Sequence, residues 1–242
     1  MMAGKVYLVG AGPGSLDYLT VRGYRLLTEA QVLVYDALVD AEVLAVLPPN
    51  CEHIDVGKRG GRPSPEQAEI DQLLVRLCQQ GQQVVRLKSG DPFIFGRTTS
   101  EIQALKSAGC DFEVVPGVSS ALAAPLLAGI PLTDPVWSHG FSVVTAHDLE
   151  LLDWQALAQM QTLVLLMGGR NLSGIVARLR SHGKRPETSV AIIRWAGHPQ
   201  QQVWVGTLLS IEQLTKGESL SPCVIVVGEV VGLRPYLMGH DA

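Results

Sequence analysis

Short apolar runs at residues 5–9, 31–35, 53–56, 83–87 and 112–115 alternate with stretches of helical spacing at 20–29, 41–47, 65–78 and 100–107. Each run leads through a loop into a helix, which is the βαβ pattern of a parallel sheet. Past Pro116 the pattern changes. A small-residue segment at 119–128 precedes predicted strands at 141–145, 162–167, 190–194, 202–206 and 223–228, with helices predicted at 153–160, 172–182 and 210–215. The runs at 190–194 and 202–206 have no helix between them, so the second sheet is expected to be mixed. The predicted fold class is α/β, with two α/β domains at 1–116 and 117–242 joined near 114–120.

Composition agrees with that pattern. Of 242 residues, 47% are hydrophobic and only 17% charged, enough for a real core and too apolar for a disordered chain. Aromatics are few, and Val, Leu, Ala and Gly abound, as buried parallel strands under small-residue helices require. The formal net charge of -4 argues against a general nucleic-acid binder. The longest uncharged stretch, ending at Thr133, contains Pro116, Pro125 and Pro131 and is rejected as a membrane span. Cys51, Cys78, Cys110 and Cys223 form no Cys-x-x-Cys pair, and the N-terminus shows no signal-peptide pattern. A cytoplasmic location is therefore expected.

The residues with chemistry lie in the loops that follow strands. Gly10-Ala11-Gly12-Pro13-Gly14 lets the backbone turn tightly and approach a ligand closely. It departs from a dinucleotide loop: position 15 is Ser, Pro13 offers no N–H, and the next helix starts late, near Thr20. Asp36 ends the second strand, where open α/β sheets place ligands, although an N-cap for the next helix reads equally well there. Lys58 and Arg59 sit between glycines after the third strand, where an anion site and a solvated turn look alike. The segment 86–97, Arg-Leu-Lys-Ser-Gly-Asp-Pro-Phe-Ile-Phe-Gly-Arg, is too dense in distinctive residues for a mere connector. From Lys58 to Arg97 there are seven Lys/Arg against four Asp/Glu, a locally basic arc suited to an anionic substrate or to a solvated face. Met167 alone reads as core filler. The six histidines show no ligand spacing, so no metal site is expected.

Together these segments resemble the tetrapyrrole methyltransferases, from Val6 to about Leu237. The landmarks are Val-Gly-Ala-Gly-Pro-Gly at 9–14, Val-Tyr-Asp at 34–36, Val-Gly-Lys-Arg at 56–59 and the segment 86–97. Glu-Val-Val-Pro-Gly-Val-Ser-Ser at 113–120 and Ala-Gly-Ile-Pro-Leu-Thr at 128–133 continue the series. The pattern is most similar to members that take two methyl groups from S-adenosylmethionine. Those members place them on C2 and C7 of uroporphyrinogen III, giving precorrin-2, the branch point toward sirohaem and cobalamin. The resemblance implies a class III methyltransferase fold, a homodimer, and cofactor held in the cleft between the domains. It implies cofactor contacts at Pro13, Ser89, Gly90, Asp91, Ile94, Ser119, Ser120, Met167 and Ala196, with Cys223 as a backbone contact. It also implies Asp36 as general base and Lys58 as general acid. Arg22, Arg59 and Arg97 are expected, from charge and placement, to bind the substrate's carboxylates. Ser89 stands where the family commonly has Gly, Thr98-Thr99-Ser100 replaces Gly-Gly-Glu, and Ala146 replaces Gly. A methyltransferase for a later precorrin, a nicotinamide oxidoreductase built on Gly10–Gly14 and Asp36, and a non-catalytic tetrapyrrole binder remain alternatives at this point.

Overall fold

The computed structural model describes residues 4–36, 41–57 and 66–238. Lys58 and Arg59 lie outside the described residues. The chain divides into two compact units, Met1–Ser119 and Ser120–Ala242.

The first unit holds five strands, β1 (Lys5–Gly10), β2 (Val32–Tyr35), β3 (Glu52–Asp55), β4 (Gln83–Lys88) and β5 (Asp111–Val115). All neighbours pair in parallel in the order β3-β2-β4-β1-β5. The intervening helices are α1 (Val21–Thr28), α2 (Ala41–Ala45), α3 (Gln67–Gln79) and α4 (Thr98–Ser107). Each face of the sheet is covered, because side chains alternate along every strand. Val6, Leu8, Val32, Val34 and Val84 pack with Ile70 and Leu74 of α3 and Leu105 of α4. Val9, Leu33, Val85 and Leu87 face the other way, onto Leu26 and Leu27 of α1 and Val43 of α2.

The order of strands sets the position of the site. After β1 the chain leaves toward β2, and after β4 it leaves in the opposite direction toward β5, although β1 and β4 are neighbours. Such a topological switch point opens a crevice at the strands' carboxyl ends. The loops that carry Gly12 and Gly90 sit there.

The second unit holds β6 (Phe141–Thr145), β7 (Thr162–Leu166), β8 (Ser189–Arg194), β9 (Gln202–Thr207) and β10 (Cys223–Val227), in the order β6-β7-β10-β8-β9. Only β6 and β7 pair in parallel; the remaining pairs are antiparallel, so the sheet is mixed. On one face lie α6 (Trp154–Gln159), α7 (Leu172–Ser181) and α8 (Ile211–Leu214). On the other lies α5 (Ser120–Leu127) with Val230 and Val231; α9 (Arg234–Leu237) closes the described chain. Among the described residues no helix is long and apolar enough to cross a membrane.

Candidate active site

Three glycines make the switch point passable. Ala11 N–H donates to the Lys88 carbonyl at 2.7 Å, and Gly12 and Gly90 exchange backbone hydrogen bonds at 3.2 and 2.8 Å. Gly12 and Gly90 both adopt φ near +70°, which favours glycine. Gly117, which follows β5, approaches both loops. A Cβ on Gly117 would lie 2.2 Å from the Gly90 carbonyl oxygen and 2.6 Å from the Gly10 Cα. Backbones this close leave no room for a side chain at Gly117.

Asp91 locks the arrangement. Its Oδ1 accepts from Phe93 N–H at 2.9 Å and its Oδ2 from Gly117 N–H at 3.2 Å. The hydroxyl of Thr98 donates to the Pro92 carbonyl. Phe95 and Arg97 both take left-handed conformations, at φ 55° and 54°. Non-glycine residues with positive φ are uncommon and concentrate at ligand-binding loops. The braced loop carries Phe93, Ile94 and Phe95 exposed. Nearby Ser89 Oγ is buried without a hydrogen-bond partner among the described residues.

The helix after β1 starts late, as its sequence suggests. Thr20 caps α1, its Oγ1 accepting from Gly23 N–H at 3.1 Å. Arg22, expected to meet substrate, pairs with Glu113, Nε reaching Oε1 at 3.1 Å and Nη2 reaching Oε2 at 3.0 Å, and its side chain remains 52% exposed. Arg97 is exposed.

Asp36 directly follows β2, and the N-cap reading of it turns on residues 37–40, which lie outside the described residues. Its Oδ1 accepts from Arg86 Nη2 at 2.7 Å, and its side chain is 34% exposed. Behind it lies a buried ionic cluster. Arg86 Nε donates to Glu101 Oε1 at 3.0 Å, and Lys88 Nζ donates to both Glu101 oxygens at 2.7 and 2.8 Å. The side chain of Glu101 is fully buried, and those of Arg86 and Lys88 nearly so. Strand alternation explains the meeting. Arg86 and Lys88 share the face of Val84, toward α4, and Val34 pairs with Arg86, so Asp36 falls on that face one strand over. Burial and the adjacent Arg86 charge hold the Lys88 ammonium below its ordinary pKa, against the pull of Glu101. Burial works against the Arg86 charge, but Asp36 and Glu101 outweigh it and raise its pKa.

The basic arc therefore needs correction. Arg86 and Lys88 are neutralised inside the unit by Asp36 and Glu101. Arg76 lies in the last turn of α3, at the opposite edge of the sheet from the strand carboxyl ends. Among the described members only Arg97 is left at the site. The sequence reading passed over Glu101; the available signal was a pair of cations on a strand otherwise too apolar to face water, with an acid on the following helix.

The second unit gathers its own set at one end of its sheet. Strands β7 and β8 run in the same direction on either side of β10, so Met167, Trp195 and Ala196 lie where β10 begins at Cys223. Met167 is no core filler: it is 49% exposed with φ 57°. Trp195 is likewise left-handed at φ 52°, and its ring meets His198 edge-on at 5.4 Å. Gln201 braces this loop, accepting from Gly197 N–H at 3.1 Å and donating to the Leu127 carbonyl at 3.2 Å. Ser120 opens α5. Among the described residues no group of His, Cys, Asp and Glu side chains gathers as a metal site would need.

A unit with a parallel sheet followed along the chain by a unit with a mixed sheet is the fold of the methyltransferase structures that this chain matches. The chain belongs to the tetrapyrrole (corrin/porphyrin) methylases, whose family model matches residues 5–212. It is 58% identical over 235 residues to a uroporphyrinogen-III C-methyltransferase of Synechococcus elongatus, covering 97% of each chain. It is 46% identical to siroheme synthase 1 of Yersinia pseudotuberculosis, covering 96% of this chain and 50% of that one; the chain thus spans about half the length of that relative. A uroporphyrin-III C-methyltransferase structure from Thermus thermophilus, complexed with S-adenosylhomocysteine, superposes with a TM-score of 0.83 at 39% identity, covering 95% of this chain and 100% of that one. A cobalt precorrin-4 methyltransferase does so with a TM-score of 0.84 at 26% identity, covering 94% and 95% of the two chains.

Proposed function

We propose that this protein transfers methyl groups from S-adenosylmethionine to C2 and C7 of uroporphyrinogen III, giving precorrin-2. The observation that carries the reading is Asp36, a part-exposed carboxylate held by Arg86 at the end of β2. A nicotinamide enzyme would need that carboxylate for a ribose, and here one oxygen is already taken by Arg86. The relatives of similar name support the choice of substrate.

The residues present fit the cofactor. In the first unit, Pro13, Gly90 and Asp91 lie in the loops that follow β1 and β4, and Ser89 offers a buried hydroxyl without a partner among the described residues. Ile94 adds exposed apolar surface, and Ser119 follows Gly117 and Val118 along the same segment. In the second unit, the family resemblance assigns cofactor contacts to Ser120, Met167, Ala196 and the Cys223 backbone. When bound, S-adenosylmethionine supplies an electrophilic methyl group on a sulfonium sulfur.

The chain's own work is positioning and proton handling, because an electron-rich pyrrole carbon needs only alignment to take such a methyl. Asp36 accepts the proton that the methylated macrocycle must lose. Lys58 manages the proton on the donating side. Arg97, Arg59 and Arg22 bind the substrate's carboxylates as charge-assisted donors, Arg22 from its exposed pair with Glu113. The protein acts as a homodimer in the cytoplasm; Leu122 and Leu126, one turn apart and exposed on α5, suit a partner surface, and the free state of all four cysteines suits a reducing compartment.

The test is an anaerobic assay with uroporphyrinogen III and S-adenosylmethionine, following the product by its absorption spectrum and mass. Dimethylated product is expected; folded protein that yields none overturns the reading.

A further inference from the structure

We infer that Arg86 is a positioning residue for methyl transfer, fixing the Asp36 carboxylate in the orientation that receives the substrate's proton. The inference rests on the reading of Asp36 as the base. Three contacts give Arg86 a single pose: Nε on Glu101 at 3.0 Å, Nη1 on the Leu87 carbonyl at 3.2 Å and Nη2 on Asp36 at 2.7 Å. Glu101 cannot yield, because it is fully buried and Lys88 grips both its oxygens. The guanidinium is planar and its donors diverge in a fixed fork, so anchoring two of them aims the third. Asp36 thus receives a donor whose position is set by strand β4 and helix α4, not by the loop that follows Asp36 itself. Its Oδ1 is occupied, and Oδ2 has no partner among the described residues. A short side chain pinned by one oxygen presents the other in one direction, which is what proton transfer to a bound substrate requires. Glu101 and Lys88 then serve as the rigid backing of Arg86, too far inside the unit to touch substrate.

Four variants test this: Asp36→Ala, Arg86→Met, the two combined, and Arg86→Lys, each measured for kcat, S-adenosylhomocysteine affinity by calorimetry, and thermal midpoint. Arg86→Met is expected to lower kcat on the order of 100-fold, the scale of misplacing a catalytic group by an ångström, while binding of S-adenosylhomocysteine is unchanged. Arg86→Lys keeps the charge without the fork and is expected to recover at most part of kcat; full recovery overturns the inference. In the Asp36→Ala background the loss of Arg86 should cost no further activity, because its effect passes through Asp36. An additive loss, or normal kcat in Arg86→Met, overturns the inference while leaving Asp36 as the base. Full activity in Asp36→Ala instead overturns the reading of Asp36. Should Arg86→Met fail to fold, Arg86→Lys decides alone: reduced kcat at retained affinity supports the role, and unchanged kcat overturns it.

Discussion

The Ser89 hydroxyl is buried without a hydrogen-bond partner among the described residues, next to Gly90 in the loop after β4. An unmet buried hydroxyl costs about 1–3 kcal/mol, so a ligand that bonds it recovers that penalty. Ser89→Ala should leave the thermal midpoint unchanged or raised, yet weaken S-adenosylhomocysteine by about fivefold, the equivalent of one ordinary hydrogen bond. Calorimetry beside a melting curve separates the two effects. Gly117 makes the opposite case. Its Cβ would strike backbone atoms of Gly90 and Gly10, which have no flexible end to move aside. Gly117→Ala should therefore destabilise by roughly 1–3 kcal/mol and also weaken S-adenosylhomocysteine binding. Gly140→Ala, with nothing within 4 Å of its Cβ, should be silent in both measurements.

Elements α3 and β10 each hide a thiol. Cys78, on α3, donates to the Gly4 carbonyl and is pushed up to about 11 by burial and by the neighbouring Cys110. Cys223, at the start of β10, is pushed up to about 12 by burial. The ordinary value is 9.0, so above that pH the unfolded chain releases protons that the folded chain retains. Stability is then whole below pH 9.0 and falls as pH rises toward 11 and 12. Urea unfolding of Cys223→Ala between pH 8 and 11 should show a shallower alkaline decline than the parent; equal slopes would remove Cys223 from the effect. The four-residue group Asp36, Arg86, Glu101 and Lys88 belongs to the scale of elements too, because it ties β2, β4 and α4 together. Glu101→Ala would strand two buried cations, and breaking a buried pair from one side costs on the order of 3–5 kcal/mol. A fall of that size in unfolding free energy is the expected outcome of a chemical denaturation series.

For the whole molecule, the formal charge of -4 no longer stands against a local basic patch. Two of the cations counted in that patch are spent inside the first unit. Of that patch, Arg97 is the described cation that stays exposed, and the proposed function assigns it to the substrate's carboxylates. Binding of a polycarboxylate should weaken in Arg97→Gln with turnover at saturating substrate retained, a rise in KM without a fall in kcat. At the same scale, sedimentation at micromolar concentration should return two chains per particle; one chain per particle would overturn the homodimer.

Most elements were legible in the chain because their cause is local. Alternating apolar runs with loops and helices dictate a parallel sheet, and the absence of a helix between 190–194 and 202–206 dictates an antiparallel pair. The glycines at 10, 12, 90 and 117 and the family motifs around them also mark the candidate site in the sequence itself. Met167 could not be judged that way, since a methionine after a buried strand is core or surface according to the turn it makes, and here a left-handed turn exposes it. Nor could Arg22, whose cation is claimed by Glu113 from a strand far along the chain. The sequence by itself determined the elements, the loops and the family, because these depend on local conformational preference and on the order of residues. Only the tertiary structure decided which charges pair with each other and which stay exposed. Asp36, Arg86, Glu101 and Lys88 meet through strand register and the helix laid across that face, and in a low-dielectric interior such proximity fixes what a charge can do.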